Sequence, residues 1–520
     1  MRYNRIAGRF ARQISEHIPD GAMGLVVSAI FRVASFATSP ASVAIIAALL
    51  FAANLFLGFP GDANDDSNSQ YAQAVDQRFN DWHPPIMAWL WSILRLLADG
   101  NGPMFGFHVA CYWLGFGLIA AALSRAGRPL VAWGIIGVGL FPPFLMMNIN
   151  ILKDVGLAVT FLAAFAALFW YRIADRSVPA AVVAISVVLL SYGTLVRSNA
   201  VFGVVPLLAY LINPQWLERP WRVLVLSVPF AMLMVPVAGL FNHNVLNATP
   251  LGIIRSLQIF DMAGIAFYSG DVSVLGPGTS FTRQHVDRCY TPVHWDTLSP
   301  WGKCRFVWNR LAVSGDLSEV EKLDPMDAME ARPNLDLRNH WVASIFAHPL
   351  AYARHRLAHF SSEIYFFHQP DHSDAAAFGA PMGEEVGVAP DLPGQRTAPY
   401  VMFYDELKTP AFWLVIGACL LVLLASVNSH RRHAGLEAAL ALVMSGLLYA
   451  CAYLIVGVAT DSRYQFWSMV ATFTALVISL SGLRGPFALP QWVGKKPPAI
   501  TRSEERRVGK ECRSRWSPYH

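Results

Sequence analysis

Four short polar stretches interrupt an otherwise apolar chain, and they hold the side chains able to do chemistry. The first reads GFPGDANDDSNSQYAQAVDQRFNDWHPPIMAWLW, with Asp62, Asp65 and Asp66 close together and Asp81, Trp82 and His83 further on, ahead of a proline pair. Carboxylates at a membrane boundary can take a proton from an acceptor hydroxyl or hold a divalent cation, and either task suits group transfer from a lipid-linked phosphate. The other stretches are NINILKDVG with Lys153 and Asp154, LVRSNAV with Arg197 and Asn199, and VATDSRYQFW with Asp461, Arg463 and Tyr464. Ionisable residues near membrane depth are costly and need a partner or a role. Plainer explanations exist for each: Lys153 paired with Asp154, Arg197 snorkelling to the interface, Arg463 satisfying Asp461.

The elements that must position these residues are membrane helices. Of 520 residues 54% are apolar and 14% charged, and the mean hydropathy is +0.39, well outside the balance of a soluble chain. Apolar runs long enough to cross a hydrocarbon core recur, predicting spans near 41–58, 103–124, 130–147, 155–171, 178–196, 200–213, 221–241, 409–427, 435–458 and 466–483. The expected fold is therefore an all-α polytopic membrane protein of about ten transmembrane helices. Arginine and lysine set the orientation: Arg2, Arg5, Arg9 and Arg12, then Arg125, Arg128, Arg172, Arg176, Arg219, Arg222, Arg431 and Arg432, and finally Arg484, Lys495 and Lys496 fall on one side. That side is read as cytoplasmic, with both termini inside. The stretch from Met23 to Ala37 carries Arg32 and reads as an interfacial helix.

The expected organisation is a cytoplasmic and interfacial N-terminus over 1–40, a membrane core over 41–241 with its first outer loop at 59–102, one mixed extracytoplasmic domain over 242–408, closing membrane helices over 409–483 and a tail over 484–520. Residues 502–520, polar and dense in arginine, resemble read-through sequence and are set aside. Cys289 and Cys304 bracket the stretch CYTPVHWDTLSPWGKC and are expected to close a disulfide in an oxidising compartment. Cys111, Cys419 and Cys451 lie in apolar runs and read as packing residues. No P-loop and no GxGxxG stands in the sequence, and nothing suggests a nucleic-acid partner.

The order of these motifs resembles the GT-C superfamily of membrane glycosyltransferases, which includes protein O-mannosyltransferases and lipid A aminoarabinose transferases. A bacterial branch is more similar still, carrying PG, then DS with a Gln three residues on, then DWHP; here these are Pro60 and Gly61, Asp66, Ser67 and Gln70, and Asp81 to Pro84. Its KD, RxN and DxRY elements match Lys153 and Asp154, Arg197 and Asn199, and Asp461 to Tyr464, and NHWVASIFAHPLAYARHRLAHF resembles its helix leading out of the outer domain. The resemblance implies a sugar donor on a polyprenyl phosphate, a cell-envelope acceptor, and a bacterial inner-membrane enzyme with a periplasmic site. Under it Asp66 is the first choice for general base or acceptor-positioning carboxylate and Asp65 the second. Lys153, Arg197 and Arg463 would neutralise the departing phosphate, because a guanidinium can hold two of its oxygens at once. Gln70, Asp154 and Tyr464 join the substrate-binding set. His83 would orient the loop, bind a metal or cap the following helix; a divalent cation is not required by the pattern, which has Asp-Asp-Ser where some members have Asp-Glu. Tyr290, Trp295, Trp301, Arg354, His355 and Arg356 of the large domain would suit a glycan or lipid head group.

Two other classes share this plan. A transporter or flippase of lipid-linked substrate would carry charges buried mid-span, whereas these lie at span ends. An O-antigen-type polymerase or ligase would carry its key Arg and His in the large loop.

Overall fold

The computed structural model describes residues 39–276, 281–320, 322–365, 409–427 and 433–482. The N-terminal arginines, the interfacial helix expected over Met23 to Ala37, Arg431, Arg432, part of the large domain and everything from Arg484 onward lie outside the described residues.

Helix α1 (Pro40–Gly58) begins where Ser39 accepts the Ser42 N–H at 3.1 Å and Pro40 occupies the first turn, a position whose N–H has no helical partner in any case. Two short helices follow in the first loop, α2 (Asp65–Asp76) and α3 (Ile86–Leu94), and then the long α4 (Gly102–Arg125). Next come α5 (Pro129–Gly139), α6 (Pro142–Ile149), α7 (Lys153–Arg172), α8 (Ala180–Val196), α9 (Ala200–Ile212) and α10 (Pro220–Leu240). The large domain contributes α11 (Ile254–Ser269), α12 (Arg283–Cys289), α13 (Arg305–Ala312), α14 (Leu337–Ala347) and α15 (Pro349–Glu363), and the chain closes with α16 (Pro410–Ser426), α17 (Ala434–Val456) and α18 (Phe466–Ser479).

Each apolar run forms helix, but the expected count of ten spans is corrected. Among the described residues six helices are long and apolar enough to cross a membrane: α1, α4, α7, α10 with its continuation to Val245, α17, and the stretch Arg463–Gly482 around α18. The pair α5 and α6 makes a seventh if its 48° bend is taken as one broken span. Pro142 and Pro143 lie at that break, where each withholds a backbone donor. Helices α8, α9 and α16 have 17, 13 and 17 residues, and the shortest covers only about 20 Å of a hydrocarbon core of about 30 Å. An apolar run reports composition, not the length of unbroken helix.

Helix α7 is the axis of the bundle. It packs along α4, α8 and α18, while α17 packs on α18, α9 and α16. Close approach of α17 and α18 needs a small residue, since a Cβ at Gly446 would sit 3.2 Å from the Ser468 backbone. Helices α1 and α10 expose most of their apolar side chains, among them Leu49, Phe56, Leu226 and Leu233, as lipid-facing helices do. Cys111 is buried, but Cys419 and Cys451 are exposed and so are not interior packing residues.

The large domain is helical, not mixed: among the described residues no strand forms, and only isolated bridges pair extended segments. Its core gathers on α11, with Ile259, Phe260 and Ile265 fully buried beside Trp308 of α13, and α14 and α15 pack against it. Cys289 and Cys304 are joined by a disulfide with a Cα–Cα distance of 5.9 Å.

Candidate functional site

The first loop is pinned to the segment that starts α7. Gly61 has φ +89°, and a Cβ there would lie 2.8 Å from the Phe105 ring, so only glycine lets the chain turn this close to α4. Asp62 then pairs through its backbone, donating to Ile149 at 3.1 Å and accepting from Ile151 at 2.7 Å. Asn64 caps α2 by accepting the Ser67 N–H at 3.1 Å, and the Ser67 hydroxyl donates to the Ile151 carbonyl. Two residues beyond Ile151 is Lys153. The same tethers that seat Asp66 in the first turn of α2 therefore bring Lys153 to it.

Around the Asp66 carboxylate three basic groups converge from distant parts of the chain. His83 Nε2 lies 3.4 Å from Oδ1, and Lys153 Nζ and Arg463 Nη2 lie 3.4 Å and 3.3 Å from Oδ2. Lys153 Nζ is also 2.7 Å from His83 Nδ1. With the ammonium donating to Nδ1, the ring proton is on Nε2 and faces Asp66. Burial lowers the His83 pKa to about 4, helped by Lys153 and opposed by Asp66, so the ring is neutral near pH 7. Burial pushes the Asp66 carboxyl upward, but the His83 hydrogen bond and the charges of Lys153 and Arg463 outweigh it and hold it well below the usual carboxylate range.

A second layer backs the first. Arg197 Nε donates to Asp154 Oδ1 at 2.7 Å, and its guanidinium lies 4.3 Å over the Tyr464 ring. Arg463 Nε is 2.8 Å from Asp461 Oδ2, and the Tyr464 ring stacks on Tyr453 at 5.7 Å. Three carboxylates, Asp66, Asp154 and Asp461, thus face three cations, Lys153, Arg197 and Arg463. The pairing differs from the simple expectation: Lys153 turns to Asp66 and not to its neighbour Asp154, and Arg463 serves both Asp461 and Asp66.

Not every candidate joins the cluster. Asp65 is exposed and forms no ion pair among the described residues. Gln70 is buried inside α2, where its side-chain amide donates to the Asp66 carbonyl at 3.4 Å; it braces the turn that carries Asp66. Both His83 ring nitrogens are engaged, which leaves neither for a metal, and among the described residues no three His, Cys, Asp or Glu side chains form a ligand set.

Asp81, Trp82 and His83 point to three different places. Asp81 accepts the Leu251 N–H and lies 3.5 Å from His243, tying the loop to the start of the large domain. Trp82 enters a nest with Trp295, Trp301 and Trp308 at ring distances of 6.0, 5.4 and 6.5 Å. His83 alone reaches the charged cluster. Trp295, with Tyr290, His355 and Arg356, is buried, so these residues build the domain instead of offering a glycan-binding face. His355 Nε2 is 3.2 Å from the fully buried Asp261, Arg356 also pairs with Asp261, and Trp341 Nε1 donates to it at 2.9 Å. Arg354 is exposed.

Two carboxyl groups beside the site carry no motif in the sequence. Glu363, at the end of α15, is fully buried and accepts from Gln465 at 2.8 Å and from the Asp461 amide at 3.3 Å. Asp296, in the disulfide-closed loop, is pushed up to about 6 by burial and by the Asp66 charge. Its acidity reports that charge across the interface between loop and domain, which no local sequence signal gives. The chain matches no family model, no curated protein and no solved structure.

Proposed function

We propose that the chain is a membrane glycosyltransferase that moves a sugar from a polyprenyl-phosphate donor to an extracytoplasmic acceptor in the cell envelope. The observation that carries this reading is the convergence of Lys153, Arg463 and His83 on Asp66, from four separate segments at helix ends. A cluster at helix ends is placed to meet a lipid-linked phosphate, whereas a permeation path needs its charges along the bundle. Lys153 and Arg463 are the phosphate-facing cations, Asp66 is the carboxylate that gathers them, and the Arg197–Asp154 pair holds the floor beneath them. The reading places the protein in a bacterial inner membrane with both termini cytoplasmic. On this reading the cluster lies on the periplasmic face.

The test uses purified protein in liposomes with radiolabelled polyprenyl-phosphate mannose, glucose and aminoarabinose, and membrane extract as acceptor. Transfer that Asp66→Asn reduces by at least a hundredfold, with melting behaviour kept, is the expected result. No transfer from any donor, together with movement of the labelled lipid across the bilayer that survives Asp66→Asn, would replace it with a transporter.

A further inference from the structure

A loop of the large domain docks beside the cluster and carries a carboxylate, Asp296. The loop closed by Cys289 and Cys304 docks on the extended segment after α17: His294 pairs with Ala459 in an antiparallel bridge, and the Trp295 N–H donates to the Val458 carbonyl at 2.8 Å. Asp461 and Arg463 follow that segment directly. On its other flank Trp295 meets Trp82, the residue before His83. The residues just before Asp296 thus contact Trp82, the neighbour of His83, and the segment that runs on into Asp461 and Arg463. The loop is fixed internally too, since Thr297 Oγ1 donates to the Cys289 carbonyl at 2.6 Å and the Cys304 N–H to the Thr297 carbonyl at 2.9 Å.

The two carboxylates are not equivalent. Both Asp66 oxygens are occupied by cations or by the His83 ring, and a carboxylate so paired is a weak proton acceptor. Asp296 is partly exposed, and His294 Nδ1, 3.5 Å from Oδ2, is its one ion-pair contact among the described residues. We infer that Asp296 takes the proton of the acceptor hydroxyl, while Asp66 is the fixed charge that organises the cations; this rests on the transferase reading. In the step, the acceptor oxygen bonds to the anomeric carbon as its O–H proton passes to the Asp296 carboxylate. The bond from that carbon to the phosphate oxygen breaks, and the polyprenyl phosphate leaves with the electron pair, neutralised by Lys153 and Arg463.

Burial, first, and then the Asp66 charge raise the pKa of Asp296. The titratable group that faces it from its own loop is His294, with Nδ1 3.5 Å from Oδ2, and His294 is in turn felt by His359 of α15. A base with a pKa of about 6 is active when deprotonated, so transfer falls as pH drops through 6.

The experiment measures transfer from pH 4.5 to 8.5 with the same three donors, for wild type, Asp296→Asn and Asp296→Glu, alongside an infrared carboxyl titration. The expected result is transfer reduced about a hundredfold or more in Asp296→Asn, with the acid limb abolished, and partial recovery in Asp296→Glu. A carboxyl band titrating near pH 6 disappears in Asp296→Asn and moves to lower pH in Asp66→Asn, where the neighbouring charge is gone. Transfer by Asp296→Asn within threefold of wild type, with its acid limb unchanged, overturns the assignment alone. Absence of wild-type transfer from every donor overturns the transferase reading and this assignment with it. Melting curves establish that the variants fold.

Discussion

Lys153 and Asp154 are adjacent in sequence, yet adjacent residues on a helix project in different directions. At the first turn of α7 this sends Lys153 to Asp66 and Asp154 to Arg197, so the sequence identified the charged residues but not who pairs with whom. The Arg197–Asp154 pair is the most buried of these, with side-chain exposures of 15% and 1%. Taking both charges from water costs several kcal/mol per ion, returned only while both partners are present. Replacing Arg197 by Met strands the Asp154 carboxylate and is expected to cost about 3–5 kcal/mol. Combining it with Asp154→Leu should recover most of that loss, because no charge is then left buried alone. Denaturation of the two single variants and the double variant in detergent checks this; costs that simply add would show that the two residues are not coupled.

At the scale of elements, the segment CYTPVHWDTLSPWGKC was legible as a closed loop because its two cysteines stand at a bridgeable spacing. Its docking partner was not legible. A pairing between His294 and Ala459 joins residues far apart in sequence and is made through backbone groups that every residue carries. Length misled the reading of spans for a related reason, since Pro142 and Pro143 interrupt an apolar run without making it less apolar. Gly302 is a position where the loop can be disturbed directly. A Cβ there would lie 2.1 Å from the Asp296 carbonyl oxygen and 2.5 Å from that of Thr297, and backbone atoms so close cannot yield as a flexible side chain would. Gly302→Ala is therefore expected to displace the loop, lower transfer at least tenfold and speed hydrogen exchange at the Trp295 amide, while the melting of the membrane helices stays as in wild type. Unchanged exchange at Trp295 would mean that the loop absorbs the methyl group and that its position does not depend on Gly302.

On the scale of the whole molecule, composition made the helical membrane plan legible, but the attachment of the large domain to the bundle lies in buried polar contacts that composition does not reveal. Arg356 of α15 donates to the Gly457 carbonyl at 2.6 Å, and seven residues later Glu363 accepts from Gln465 and from the Asp461 amide. These contacts join the helix that leaves the domain to the segment carrying Arg463. Burial raises the Glu363 carboxyl well above its ordinary value, despite the Gln465 hydrogen bond. The folded protein then holds a proton that the unfolded chain releases above about pH 4.5. Wherever the folded state binds more protons, stability falls as pH rises, so this group weakens the fold progressively above that pH. Glu363→Gln removes the titration but offers one oxygen to two donors, the Gln465 amide now on Oε1 and the Asp461 N–H now on Oε2. It is expected to be less stable than wild type near pH 5 by about 1–3 kcal/mol for the donor left unpaired, with the gap narrowing towards pH 8. Glu363→Ala leaves the Gln465 amide and the Asp461 N–H unpaired and should cost about 1–3 kcal/mol for each at every pH. Denaturation at the two pH values separates the cases: a gap between Glu363→Gln and wild type that stays the same or widens from pH 5 to pH 8 would mean that Glu363 is ionised in the fold and acts as a countercharge to Arg197 instead of as a neutral link between domain and bundle.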